Sequence, residues 1–278
     1  MMISEPTEAA AALEQYRIRW KLVADGAPFR TNSSWLRPVR HQGIPAILKV
    51  PFESEEQWGG LLMAWWNGDG ATRVLAQDEH ALLLERAIGT MSLVDMTRNG
   101  SDDEASRILC AVIARLHAKR DVPPPDLIPL SRWFEPLDQS GPAHGSVLGR
   151  SAALARELLQ TPEDIVVLHG DIHHGNVLDA GSRGWVAIDP KRLVGERGFD
   201  YANLFCNPDR QTATAPYRLS RQASVVAEAA GLDRAWLLKW VAAWAGLSAV
   251  WRLEDGETPE LDLTIVRLAL AELDRSSS

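Results

Sequence analysis

Cysteine is scarce, with only Cys110 and Cys206 in 278 residues. Two cysteines cannot build a disulfide framework. Both lie in mainly apolar segments, so the expectation is two buried free thiols. No Cys/His spacing of a zinc site is present. Long hydrophobic runs are also missing. The longest, Ala235 to Trp251, is interrupted by Lys239 and contains Gly246. That is too short and too broken for a membrane span. Basic residues are outnumbered, 29 Lys+Arg against 37 Asp+Glu, a net charge of −8. This balance argues against a sequence-independent nucleic-acid binder, which needs a basic face. It suits a partner that is a cation. The opening Met1-Met2-Ile3-Ser4-Glu5-Pro6 has no basic region ahead of an apolar run. The expectation is therefore no signal peptide and a cytoplasmic location. There is no internal repeat and no low-complexity linker. Neither Gly-x-Gly-x-x-Gly nor Gly-x-x-x-x-Gly-Lys-[Ser/Thr] occurs.

What is present reads as a folded chain, 46% hydrophobic and 24% charged. An Ala-rich helix opens it, and Ile18 to Val23 reads as a strand. Ser33 to Arg40 and Ile44 to Val50 flank the turn His41-Gln42-Gly43 and read as a hairpin. Ser54-Glu55-Glu56 starts a helix to about Trp66, its acidic first turn matching the helix dipole. Thr72 to Ala76 and Ala81 to Arg86 read as further strands. The pattern becomes helical after Ala87-Ile88-Gly89. Ser101-Asp102-Asp103-Glu104 has the form of a capping box. Helices follow around Leu130 to Leu137 and Val147 to Leu159, with Gln139 to Gly149 read as a loop. Asp164 to Leu168 and Val186 to Ile188 are short strands. Three or four helices complete the chain. Trp236, Trp240 and Trp244 recur every four residues, the pattern of one packed core face. The expected domains are a β-rich lobe over 1–87 and a larger helical lobe over 88–278.

The chemistry concentrates in Leu168-His169-Gly170-Asp171-Ile172-His173-His174-Gly175-Asn176-Val177. Ionisable side chains crowd a short loop between apolar strands. Asp189 follows at the end of Trp185-Val186-Ala187-Ile188. Phosphoryl transfer from ATP needs this set. One carboxylate, Asp171, orients or accepts the proton of an attacking hydroxyl. An amide oxygen, Asn176, and a second carboxylate, Asp189, suit magnesium, which prefers hard oxygen ligands and keeps several waters. Upstream, Lys49 stands alone in the apolar strand Ala46-Ile47-Leu48-Lys49-Val50. With the later loop, it reads as the cation for the ATP α/β-phosphates. Its expected partner is Glu56 on the next helix, with Glu55 the near alternative.

His-Gly-Asp-x-His-x-x-Asn followed by Ile-Asp-Pro resembles the catalytic signature of the aminoglycoside phosphotransferases. Ser33-Ser34-Trp35, Leu48-Lys49-Val50, Leu84-Glu85-Arg86-Ala87, Gly195-Glu196-Arg197 and Phe199-Asp200-Tyr201-Ala202-Asn203 extend the likeness over nearly the whole chain. They point to the streptomycin 6-phosphotransferase branch, grouped with hydroxyurea kinases. The resemblance implies an α+β, two-lobed protein-kinase-like fold. It implies Asp171 as catalytic base, Asn176 and Asp189 on Mg²⁺, and Lys49 on ATP, held by Glu56. Ser33 and Ser34 would lie in the turn over the phosphates. Backbone groups of Glu85 and Ala87 would meet adenine. His169 would support the loop, and Asp200 would tie the loop to the following helix. The implied reaction moves the ATP γ-phosphate to the 6-hydroxyl of streptomycin.

Two other readings are weaker. A dinuclear metallophosphoesterase needs late histidines, and none follows His174. A pseudokinase usually loses one of the residues retained here: Lys49, Asp171, Asn176 or Asp189. A kinase of hydroxyurea or a metabolite alcohol remains the closest alternative. A polycationic acceptor calls for carboxylates. The candidates are Glu196, Asp200, Asp209, Asp255 and Glu257.

Overall fold

The computed structural model describes residues 6–31, 33–52 and 55–276, and among them it divides into two units. The first runs to Thr90 and includes Arg120–Pro125 and Leu178–Lys191. The second holds Met91–Lys119, Asp126–Val177 and Arg192–Ser278.

In the first unit, helix α1 (Pro6–Arg19) precedes the two-residue strands β1 (Val23–Ala24) and β2 (Phe29–Arg30). The helix continues through Ile18 and Arg19, so the strand expected from Ile18 begins only at Val23. The hairpin is β3 (Ser34–His41) and β4 (Ile44–Pro51), paired from Ser34↔Pro51 to His41↔Ile44. Its turn takes positive φ at Gln42 and Gly43, as a tight hairpin with strands of right-handed twist requires. Helix α2 (Glu55–Trp66) follows, then β5 (Val74–Gln77) and β6 (Leu82–Glu85). The sheet runs β1-β3-β4-β6-β5, with β2 also on β3. Its core joins Leu13 and Tyr16 of α1 to Val39, Ala46, Leu48, Val50 and Leu83. This alternation along β4 sends Ala46, Leu48 and Val50 to the α1 side. Lys49 therefore points to the other face.

The second unit begins with α3 (Leu93–Arg98), capped by Ser92, which the sequence pattern did not reveal. Helix α4 (Asp102–Leu116) starts at the expected Ser101, yet the Ser101 side chain makes no capping bond. Its acidic first turn is used otherwise. Asp102 accepts from Arg218 at 2.7 and 3.0 Å, and Asp103 accepts from Arg221. Strand β7 (Ile128–Pro129) leads into α5 (Leu130–Trp133) and α6 (Glu135–Ser140). The segment read as a loop is instead the end of α6, a 3₁₀ turn over Gly141–His144 and the start of α7 (Ser146–Gln160). Strands β8 (Ile165–Leu168) and β11 (Leu193–Glu196) follow, whereas β9 (Val177–Asp179) and β10 (Trp185–Ala187) pair with each other, and from Leu178 on they belong to the first unit. β11 runs parallel to β7 and antiparallel to β8. Helices α8 (Arg210–Ala213), α9 (Arg218–Ala230), α10 (Arg234–Glu254) and α11 (Glu260–Ser276) close the chain.

Helix α10 is the spine of this unit, buried from Trp240 to Val250 except at Trp244 and Ser248. Gly246 lets α7 approach, since a Cβ there would meet Ser151 at 2.5 Å. Ser151 Oγ donates to the Ala242 carbonyl at 2.6 Å across the same crossing. Trp240 stacks edge-on against Phe199 and also meets Phe134. The four-residue tryptophan series does not share one environment. Four residues turn the helix by about 400°, so each step drifts about 40°. Trp240 is in the core, whereas Trp236 donates its indole N–H to Glu196 Oε2 at 3.1 Å. Both cysteines are free and buried. No described helix is long and apolar enough to cross a membrane. Trp240→Ala is expected to lower the unfolding free energy by about 3–5 kcal/mol, as for other buried aromatics cut to Ala. Equilibrium urea unfolding checks this, and a loss below about 1 kcal/mol would contradict a core role for the Phe134–Phe199–Trp240 cluster.

Candidate active site

The loop after β8 is held by a single buried carboxylate. Asp200 accepts the backbone N–H groups of His169 and Gly170, both at 2.8 Å. Its Oδ2 also lies 2.8 Å from His117 Nε2. Burial pushes this carboxyl upward, but the bond to His117 and the nearby charges and N–H groups outweigh it. The net result is a carboxyl held below its ordinary value. Asp200 thus stays ionised and acts on the loop. It is the tie that the sequence implies, and its burial places it away from a guest.

The tie fixes the next turn. His169 is fully buried, and its Nδ1 accepts the Asp171 N–H at 3.2 Å. His173 Nδ1 accepts the Gly175 N–H at 3.1 Å, and its Nε2 lies 4.0 Å from Asp171 Oδ1. His174 is buried and pushed down to about 3, chiefly by burial, so its ring is neutral. Asn176 Nδ2 donates to the Asp171 carbonyl at 2.8 Å, which turns its amide oxygen away as an acceptor. Asp171 remains part-exposed. Its Oδ1 accepts from Asn203 Nδ2 at 2.9 Å. Asn203 is itself oriented, because Asn207 Nδ2 donates to its Oδ1 at 2.9 Å and its carbonyl at 3.0 Å. Asp171 Oδ2 takes a long 3.5 Å contact from Asn176 Nδ2 and keeps acceptor capacity for a hydroxyl proton. Asn203 stood inside a quoted motif, but nothing in its spacing revealed its reach to Asp171.

A cavity of about 260 Å³ opens at Asp171 within the helical unit. His173, Asn207, Asp209, Trp244, Ser248, Arg252 and Asp262 are among its lining residues. Of the five carboxylates named from sequence, only Asp209 is among them. Glu196 is buried and caps the following turn by accepting the Gly198 N–H at 3.0 Å. Asp255 ends α10, and Glu257 accepts from Arg252. Asp262 was missed, because its position three residues into α11 reads as an ordinary acidic first turn.

In the β-rich unit, Lys49 is buried and donates to Asp189 Oδ1 at 2.7 Å. Asp189 has φ of 58°, in the left-handed region that a non-glycine residue seldom occupies. Helix α2 packs close to this turn, since a Cβ at Gly59 would lie 2.7 Å from the Pro190 carbonyl oxygen. The side chains of Glu55 and Glu56 lie outside the described residues. Ser34 is buried on β3, and the Ser33 carbonyl accepts the Phe52 N–H at 2.9 Å. Glu85 gives its N–H to Arg73, and its carbonyl accepts the Thr72 hydroxyl. Its carboxylate pairs with Arg183. Ala87 makes no backbone hydrogen bond among the described residues.

The described residues hold no cluster of three or more His, Cys, Asp or Glu that could bind a metal alone. Magnesium carried by phosphates and waters takes oxygen donors of the kind that each unit presents by itself, Asn176 in the helical unit and Asp189 in the β-rich one. Such an ion asks for few protein oxygens. Asn176 offers its amide oxygen, and Asp189 keeps Oδ2 beside the Oδ1 held by Lys49.

Asn203→Ala should reduce phosphoryl-transfer turnover about tenfold, the effect of losing one hydrogen bond to a charged group that must be aimed. Steady-state rates at saturating substrates check it, and unchanged turnover would contradict the orienting role.

Known proteins resemble this chain in sequence and in fold. The family model described as aminoglycoside/hydroxyurea antibiotic resistance kinase matches residues 19–256. A streptomycin 3''-kinase of Klebsiella pneumoniae is 50% identical over 243 residues, covering 86% of this chain and 91% of that one. A streptomycin 6-kinase of Streptomyces griseus is 34% identical over 258 residues, covering 86% and 81%. Among solved structures, an aminoglycoside phosphotransferase in ternary complex with ADP and hygromycin B superposes with a TM-score of 0.67 at 15% identity, covering 96% and 99%. A choline kinase of Cryptosporidium parvum gives 0.63 at 12% identity, covering 96% and 95%. Those two likenesses establish the α+β protein-kinase-like fold. The matched span and the shared identity make this chain a member of the aminoglycoside/hydroxyurea antibiotic resistance kinase family.

Proposed function

We propose that the protein transfers the γ-phosphate of ATP to a hydroxyl of streptomycin. One observation carries the reading: in a chain 50% identical to a streptomycin 3''-kinase, an oriented, part-exposed Asp171 lines a cavity together with two further carboxylates, Asp209 and Asp262. In this reading Asp171 accepts, through Oδ2, the proton of the attacking hydroxyl. Little covalent chemistry falls to the protein, so positioning and charge neutralisation dominate. Lys49 neutralises phosphate charge. Asn176 and Asp189 are the oxygen donors for the magnesium that accompanies ATP. That ion, when bound, offsets charge on the phosphate oxygens. The Ala87 N–H is an available donor for an adenine edge. Ser33 belongs to the turn over the phosphates, whereas Ser34, buried in β3, does not.

The acceptor is the 3''-hydroxyl, on the strength of the 50% relative. The 6-hydroxyl expected from sequence is the second reading, supported by two streptomycin 6-kinases at 34% and 33% identity. Either product gains roughly −1.5 to −2 charge at neutral pH, which spoils recognition of a cationic drug.

Phosphorus–proton correlation NMR of the product identifies the esterified carbon. A 3''-phosphate is expected, and a 6-phosphate would move the assignment to the second reading. Turnover of hydroxyurea but not streptomycin would remove the substrate while keeping the kinase. Asp171→Ala should lower turnover by about 10²–10⁴ and leave nucleotide binding largely in place. Near-normal turnover in that variant would overturn the mechanism.

A further inference from the structure

The cavity at Asp171 contains three carboxylates and one arginine. Two of the carboxylates are already engaged. Asp171 is aimed by Asn203. Asp209 caps α8 by accepting the Thr212 N–H at 2.9 Å, and its other oxygen accepts from Arg98 at 2.9 Å. Asp262 differs. It is only 1% exposed, and its Oδ2 has no hydrogen bond. The group facing that oxygen is the guanidinium of Arg252, whose Nε lies 2.9 Å away but out of line for donation. A buried carboxylate oxygen with charge compensation but no aligned donor is under-satisfied.

Arg252 is not locked in place. Its side chain is 44% exposed, and its Nη1 donates to Glu257 at the exposed end of α10 at 2.8 Å. Trp244, Ser248 and Arg252 follow one another at four-residue spacing. The first two are the only half-buried residues between Trp240 and Val250. They form a strip of α10 that faces the cavity, with Arg252 at its end.

We infer that Arg252 is a tethered stand-in for a guanidinium of the substrate. The Nε edge of its guanidinium occupies the place against Asp262 that a guest guanidinium takes over. Glu257, already bonded to Arg252, retains the displaced side chain at the surface. The planar fork matters, because a guanidinium pairs with a carboxylate through two parallel N–H groups where an ammonium offers a point charge. Asp262 thereby selects a guanidinium-bearing guest, and Arg252 sets how much affinity the guest must supply to enter. The inference rests on the proposed streptomycin activity only for the guest's chemistry, since streptomycin carries two guanidinium groups.

The test is the dissociation constant of streptomycin, measured by titration calorimetry on the full chain. Arg252→Met keeps the aliphatic stem and removes the competitor. It should tighten streptomycin about three- to fivefold, the scale of losing one half-exposed ion pair. Arg252→Lys, which retains a charge without the fork, should fall between Met and wild type. Asp262→Asn should weaken binding about tenfold or more. A merely structural role for Arg252 predicts weaker binding, so the direction decides. Unchanged or weaker binding by Arg252→Met, with wild-type binding intact, overturns the displacement and leaves the proposed function standing. No streptomycin binding by the wild-type protein overturns both.

Discussion

The loop from His169 to Asn176 depends on the buried carboxylate of Asp200. The two N–H groups it accepts, from His169 and Gly170, are consecutive, so the chain cannot rotate at that point without leaving a buried donor unpaired. His117, the residue that caps the C-terminus of α4, adds a third contact and keeps the carboxyl ionised despite its burial. From this anchor the order of consequences is geometric. His169 receives the Asp171 N–H, Asn176 clasps the Asp171 carbonyl, and Asn203, three residues beyond Asp200, reaches the Asp171 carboxylate. Two successive 3₁₀ turns, Arg197–Tyr201 and Asn203–Cys206, therefore hold the loop and aim its carboxylate.

The second recurring device is the direct pairing of charges. In the β-rich unit, the buried Lys49 is tolerable because Asp189 lies 2.7 Å away. A buried ammonium without a partner would be strongly destabilising. The left-handed backbone of Asp189 is a local strain that the surrounding turn sustains. In the helical unit the same logic appears at Arg252 and Asp262, but with poorer geometry. A well-made pair holds its residues in position. A poorly made one leaves its carboxylate open to a better donor.

Much of this was legible in the sequence. The loop from His169 to Asn176 is contiguous, so its residue types declare their chemistry without a fold. The hairpin was legible because its turn needs positive φ and carries Gly43. The strands β7 and β11 were not legible, being two and four residues long and stabilised by pairing rather than by pattern. The cavity was read poorly for a related reason. Glu196 looks like a surface carboxylate in Gly195-Glu196-Arg197, yet tertiary packing turns it inward as a cap. Asp262 looks like dipole compensation at a helix start, yet α10 packs beside it and buries it. The tryptophan series failed as one face because helical drift carried Trp236 and Trp244 out of the environment of Trp240.

The acidic surplus of the chain, 37 carboxylates against 29 basic groups, acquires a local meaning only at the cavity. Many of the other charges are paired on the surface, as Asp103 is with Arg221 and Asp274 with Arg150. The central claim is that Asp171 serves an acceptor hydroxyl of streptomycin with ATP as donor. The most direct measurement is ADP release by the purified wild-type protein with Mg-ATP, recorded before and after streptomycin is added. The account predicts that release rises steeply on addition and stops when one equivalent of ADP per streptomycin has formed. Release that is indifferent to streptomycin would contradict it.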